Sequence, residues 1–234
     1  MIIGSGLLAR AFAPYFETSA TACVYAAGIS NSACSDQREF ERELIRLTAA
    51  LDLYRSADLF LYFGTCSVSD PLALSSSYVQ HKIKMEQIVT THSRHLILRL
   101  PQVAGNTPNP HTLLNFIFQR ISRSERFSVW ENARRNLIDI DHVARIGASL
   151  ALEDGVRNEC INVANFSDIA MPDLVELMGQ VVGKKVLCDY VSRGEPYQID
   201  TRRIHAVVQR CGVCFDSDYV ERIIGKYYGP ASTA

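Results

Sequence analysis

Apolar and polar positions follow two textures along the chain. Short, largely apolar runs, Met1–Ile3, Cys23–Ala26, Leu59–Phe63 and His95–Leu100, alternate with longer stretches of mixed character. An unbroken apolar run suits a strand buried on both faces, as in a parallel sheet. Apolar residues recurring every three or four positions suit a helix with one buried stripe. The stretch near Asp36–Arg55 carries such a stripe at Phe40, Leu44, Leu47 and Leu51, and Tyr78–Thr91 also reads as a helix. Alternating strands and helices predict an α/β, Rossmann-like, doubly wound parallel sheet.

After Pro101 the texture changes. Asn106–His111 has loop chemistry, Leu113–Ile121 reads as a helix, and Asn136–Ile140 as a strand. Asp141–Ala151 is a helix behind an acidic cap, Cys160–Ala164 a strand, and Met171–Val182 a helix with Pro172 in its first turn. Asp200 to Tyr228 reads as two short helices around Cys211–Phe215. The expected organisation is a Rossmann-like core over residues 1–151, with 101–135 contributing to a second lobe. Residues 152–234 form that small α/β, substrate-binding lobe.

Composition narrows the class. Of 234 residues, 47% are hydrophobic and 21% charged, enough for a proper core. A net charge of −1 supplies no field for nucleic acid or an anionic membrane. No apolar run reaches about 18 residues, so no membrane span is expected. Met1-Ile-Ile-Gly4 lacks the basic patch of a signal peptide, which predicts a cytoplasmic protein. The seven cysteines are an odd number and are expected as reduced thiols. Cys211-Gly-Val-Cys214 lacks a second ligand pair for zinc and reads as two thiols beside a turn, so no metal is expected.

Two motifs carry candidate chemistry. Gly4-Ser-Gly6-Leu7-Leu8-Ala9 fits G-x-G-x-x-G/A, in which a tight turn brings backbone amides and a helix N-terminus to a pyrophosphate. The same residues could be a structural entry to a helix, since the acidic residue about 20 positions later is missing. Tyr78-Val-Gln-His-Lys82 places a phenol and an ammonium on one helix face. A lysine charge beside a phenol favours the phenolate and makes an acid/base group, whereas the plain alternative is an exposed aromatic and a solvated lysine. Thr65 ends a strand, where α/β sheets bind ligands. Cys66 is either an additional acid or a small buried residue, and His81 reads as a surface residue.

Together these residues resemble the extended short-chain dehydrogenase/reductase family, the sugar-nucleotide epimerases, dehydratases and reductases. The matches run in family order: the glycine turn, Tyr25-Ala26-Ala27-Gly28, Leu61-Tyr-Phe-Gly-Thr65-Cys-Ser-Val68 and Tyr78-Val-Gln-His-Lys82. Leu98-Arg-Leu-Pro-Gln102-Val-Ala-Gly105, Arg135-Asn-Leu-Ile-Asp139-Ile-Asp141 and Asn162-Val-Ala then follow. The resemblance implies a catalytic Thr65, Tyr78 as acid/base, and Lys82 bridging the cofactor ribose and the tyrosine. It implies NAD or NADP at Gly4, Gly6, Leu7, Leu8, Ala26, Ala27 and Gly28, together with Tyr78 and Lys82. A sugar-nucleotide would lie between the lobes against Gln102, Asn115 and Arg135. A guanidinium suits a diphosphate, although Arg135 also reads as a plain surface arginine.

The departures are informative. The family has two strands and a helix where this chain has only the short interval from Ala9 to Ala26. A reduced sheet is therefore expected, without the acidic ribose ligand and part of the adenosine pocket. Cys66-Ser67 stands where the family's dehydratases carry Asp-Glu, which disfavours dehydration. The expected activity is epimerisation or keto-sugar reduction, in polysaccharide or glycoconjugate synthesis. The alternative is a non-catalytic relative that binds a nucleotide or sugar-nucleotide as a sensor or scaffold. The resemblance also implies a homodimer through the helices near 36–55 and 78–91.

Overall fold

The computed structural model of the protein describes residues 1–153 and 155–230. In chain order the first half contains β1 (Ile2–Ile3), α1 (Leu7–Phe16), β2 (Ala22–Tyr25), α2 (Gln37–Leu53), β3 (Leu59–Thr65), α3 (Ser77–Val89) and β4 (His95–Leu100). There follow β5 (Gln102–Ala104), α4 (Leu113–Ser122), β6 (Phe127–Trp130), β7 (Arg134–Arg135), β8 (Leu137–Asp139) and α5 (Ile140–Leu152). The chain continues through β9 (Glu159–Asn162), β10 (Ile169–Ala170), α6 (Met171–Val182), β11 (Cys188–Val191), α7 (His205–Arg210) and α8 (Tyr219–Tyr228).

Among the described residues, five strands form the central sheet in the order β1-β2-β3-β4-β9, every pair parallel. The two-residue β1 is an edge strand, because nothing between α1 and β2 supplies strands beyond it. The expected reduced sheet is therefore present. Strand alternation splits the core between the two faces. Val24, Leu61, Phe63, Leu96 and Leu98 meet Phe12 and Phe16 of α1 and Val143 and Ile146 of α5. Cys23, Tyr25, Phe60, Tyr62 and Ile97 meet Leu47 of α2 and Met85 and Val89 of α3. Helices cover both faces, as doubly wound packing requires.

The α2 stripe thus serves the sheet, through buried Phe40, Glu43, Leu47, Ala50 and Leu51. Its start is set by Asp36, whose side chain accepts from the Arg38 amide at 2.9 Å. A separate core gathers α4, α6, α8 and β6 around Leu114, Ile117, Leu174, Met178 and Ile224. The chain is interleaved between the two cores. β9 lies beyond residue 152 yet is the fifth strand of the central sheet, and Val207 and Val208 of α7 also pack in its core. Of the short paired strands β5–β8, β6–β11 and β7–β10, β8 falls in the strand read at Asn136–Ile140, and the others have no counterpart in the apolar pattern, because two to four residues leave no readable period. Among the described residues, no helix is long and apolar enough to cross a membrane.

Candidate active site

The turn from β1 into α1 requires glycine first. Gly4 has φ +125°, and a Cβ there would lie 2.5 Å from the Ala26 carbonyl oxygen at the end of β2. Gly6 is the N-cap of α1 and has no side-chain cap, so no side-chain oxygen satisfies the first-turn amides. Gly6, Leu7 and Leu8 line a cavity of about 300 Å³ at the carboxyl ends of the strands. Such a turn can hold a phosphate or pyrophosphate through backbone N–H groups. On this ground the residues present fit the phosphate end of a dinucleotide.

Tyr25, Ala26, Gly28, Tyr62, Thr65, Tyr78, Lys82 and Gln102 line the same cavity. Ala27 lies instead on a neighbouring cavity of about 340 Å³, shared with Cys34, Arg42, Arg46 and His111. Thr65 closes β3, and its Oγ1 accepts from the Ser67 amide at 3.1 Å, which starts the 3-10 turn Cys66–Ser69. Ser76 caps α3 by accepting from the Val79 amide at 3.2 Å, and so fixes where Tyr78 and Lys82 leave the helix. Tyr78 is 8% exposed. Burial first, then the Glu43 and Glu86 charges, raise its phenol above the ordinary value, against a polar contact with the Thr65 side chain.

The Lys82 ammonium has partners that the Tyr-x-x-x-Lys spacing does not name. Its ammonium donates to Tyr62 Oη at 3.0 Å, Glu43 Oε1 at 3.3 Å and the Phe63 carbonyl at 3.4 Å. The Glu43 carboxylate, from α2, is fully engaged. Tyr62 donates to Oε1 at 3.0 Å, the Ile29 amide donates to Oε2 at 2.8 Å, and His81 Nε2 lies 3.0 Å from Oε2. Burial opposes the ionised form of Glu43. The His81 contact, the Lys82 charge and the Ile29 amide outweigh it and bring the carboxyl down to about 2. Burial lowers the Lys82 ammonium below its ordinary value, and Glu43 offsets part of that. A Cβ at Gly28 would lie 2.8 Å from both Glu43 Oε1 and Lys82 Nζ, so only glycine lets this loop cross the pair undisturbed.

His81 is therefore buried, not a surface residue. Helix α3 is wedged between the sheet and α2, so it buries Tyr78, Val79, His81, Lys82, Met85 and Glu86 on more than one stripe. The His81 ring stacks on Phe40 at 4.5 Å. Neither Glu43 nor Tyr62 was anticipated as a site residue. The signal for Glu43 was a carboxylate three residues after Phe40 and four before Leu47, on the apolar stripe itself. The signal for Tyr62 was a phenol inside an apolar strand.

The other candidates are dispersed. Asn115 donates to the Thr107 and Asn109 carbonyls and accepts from Tyr228 Oη at 2.7 Å, so its amide secures a loop. Arg135 donates to the Arg134 carbonyl at 2.7 Å in β7 and is not among the residues lining the cavity. Cys66 is buried, its Sγ donating to the Arg99 carbonyl at 3.3 Å, and burial pushes its thiol up. Thr107, Asn109 and His111 enter the cavity from the loop before α4, and Asn109 donates to Ser30 Oγ at 3.1 Å across it. The seven cysteines are free thiols.

No protein-family model and no curated protein sequence matches the chain. Solved structures do resemble it. UDP-glucuronic acid 4-epimerase from Bacillus cereus, in complex with UDP-glucuronic acid and NAD, superposes with a TM-score of 0.72 at 15% identity, covering 97% of this chain and 88% of that one. UDP-glucose 4-epimerase from Thermus thermophilus, complexed with NAD, gives 0.71 at 14% identity over 94% and 81%. RMD from Pseudomonas aeruginosa, complexed with NADPH, gives 0.70 at 15% identity over 95% and 96%. The architecture is thus a Rossmann-type α/β fold. More narrowly, it is the fold shared by these epimerase and RMD structures.

Proposed function

We propose that the chain is an NAD(P)-dependent enzyme acting on a sugar-nucleotide, as a keto-sugar reductase or an epimerase. The observation that supports this most is one cavity lined by the glycine turn, Thr65, Tyr78 and Lys82 together. The structural neighbours whose complexes hold NAD, NADPH or UDP-glucuronic acid add to it. Fold likeness alone does not assign chemistry, so the reading rests on the site.

In this reading the amides of Gly6, Leu7 and Leu8 hold the dinucleotide phosphates. Bound NAD(P) would supply hydride chemistry. Thr65 orients the substrate oxygen and Tyr78 exchanges a proton with it, both at the strand ends where such folds bind ligands. Gln102 and the Thr107–His111 loop face the substrate. Lys82 acts from behind, through Tyr62 and Glu43.

The test is fluorescence titration of the purified chain with NADH and NADPH, followed by turnover with UDP- and dTDP-hexoses and their keto forms. A second reading, a sugar-nucleotide binder without turnover, is favoured by one feature. The three Lys82 donors are already committed to Glu43, Tyr62 and Phe63, which leaves none for a ribose. Sugar-nucleotide binding without any NAD(P)H binding would select that alternative.

A further inference from the structure

We propose that Glu43 is a positioning residue that engages and balances the Lys82 ammonium and keeps the Tyr78 phenol protonated, so that Tyr78 meets its substrate as a proton donor. The proposal rests on Tyr78 being the proton-transfer residue of the preceding section, and it fixes which way the proton first moves.

The geometry carries it. An ammonium has three N–H groups, and Lys82 has acceptors for all three at Tyr62, Glu43 and the Phe63 carbonyl. Glu43 is held just as firmly, with four donors shared between its two oxygens. The Glu43 and Lys82 side chains are 1% and 4% exposed, so solvent screens little of their interaction. A lysine–carboxylate pair offers Tyr78 no net positive charge, and without that charge a buried phenol has no reason to ionise near neutral pH.

The remaining groups around Tyr78 act in the same sense. The Glu43 charge on α2 and the Glu86 charge on its own helix both disfavour the phenolate. Glu86 is itself paired with Arg99 of β4 at 2.6 Å, which limits its share. The Tyr62 phenol of β3 lies between Glu43 and Lys82, and His81 binds the far oxygen of Glu43. Only the Thr65 side chain favours the phenolate. A phenol in this setting can give its Oη proton to a substrate oxygen: the tyrosine O–H bond breaks and the new O–H bond forms on the substrate.

The proposal is tested on the full, ligand-free chain labelled with 13Cζ-tyrosine, the Tyr78 resonance being assigned by its loss in Tyr78→Phe. In the wild type the resonance should hold its phenol position up to about pH 10, the ordinary tyrosine value, or beyond. In Glu43→Gln the midpoint should fall by about 1–3 pH units, the usual effect of a charge at such range. Glu43→Asp, which keeps the charge, should restore a high midpoint, as loss of packing alone would not. A wild-type midpoint near neutral pH, or a midpoint unmoved in Glu43→Gln, would overturn the proposal. Should Glu43→Gln fail to fold, the wild-type and Glu43→Asp midpoints decide. No substrate or cofactor enters the measurement. A chain that titrates as expected but never turns over would sink the enzymatic reading and leave the role of Glu43 in place.

Discussion

Lys82 of α3 and Glu43 of α2 stand 3.3 Å apart with side chains 4% and 1% exposed, and each is the other's counter-charge. Burying such a pair is costly, and breaking it costs more, because one charge is left behind uncompensated. Glu43→Met and Lys82→Met should each destabilise by about 3–5 kcal/mol. The double variant Glu43→Met/Lys82→Met should be far milder than the sum of the single changes. Urea denaturation of the four proteins checks this, and additive losses would mean that the pair is not coupled.

Acid should find the same pair. The Glu43 carboxyl falls from its ordinary 4.5 to about 2 in the folded chain. A carboxyl depressed on folding adds stability that is complete above its unfolded value and is lost as the pH falls through the folded one. The wild type should therefore lose stability between about pH 4.5 and 2, and Glu43→Gln should show a shallower loss over that window. Melting temperatures across the range would reveal it.

Tyr78→Phe removes one hydroxyl from a side chain 8% exposed and keeps the ring, so the melting temperature should change little. Turnover should drop by about 10²–10⁴-fold, seen mainly in kcat. Thr65→Val should cost less, since one polar contact is lost while Tyr78 remains. Steady-state kinetics on the sugar-nucleotide found to turn over would rank the two, and an active Tyr78→Phe would remove Tyr78 from the chemistry.

The two turn glycines should respond differently. Gly4→Ala meets both a positive φ and the Ala26 carbonyl, and should cost at least about 1–3 kcal/mol of stability. At Gly6 a Cβ would meet nothing within 4 Å, so Gly6→Ala should fold normally. Its methyl group would still crowd a phosphate on the α1 amides, and NADH affinity should fall. Thermal melts paired with fluorescence titrations separate these effects.

The outer face of α2 leaves Ile45 69% and Leu53 72% exposed. We propose pairing of the chain with a second copy through α2 and α3. Light scattering at micromolar concentration should report a dimer, and Ile45→Asp should shift it to monomer. A wild type that is wholly monomeric would end this proposal.

Much of the architecture could be read from one-dimensional pattern. Leu59–Phe63 and His95–Leu100 are strands because short, largely apolar runs are best buried between two layers of helices. The short interval between Ala9 and Ala26 left room for no further strand, so β1 had to be an edge. The glycine turn and the Tyr78/Lys82 spacing were legible for the same reason, since each is set by contacts within a few residues of chain.

What could not be read is what sits across from those residues. Spacing along α3 places Lys82 on the Tyr78 face but is silent about α2, which begins some forty residues earlier. Folding α2 against α3 brings Glu43, 39 residues away in sequence, to the Lys82 ammonium, and buries His81 with it. The charge balance of the site, and with it the protonation of Tyr78, follows from that long-range packing. Electrostatic interaction depends on distance and burial in space, and neither quantity is encoded in local periodicity.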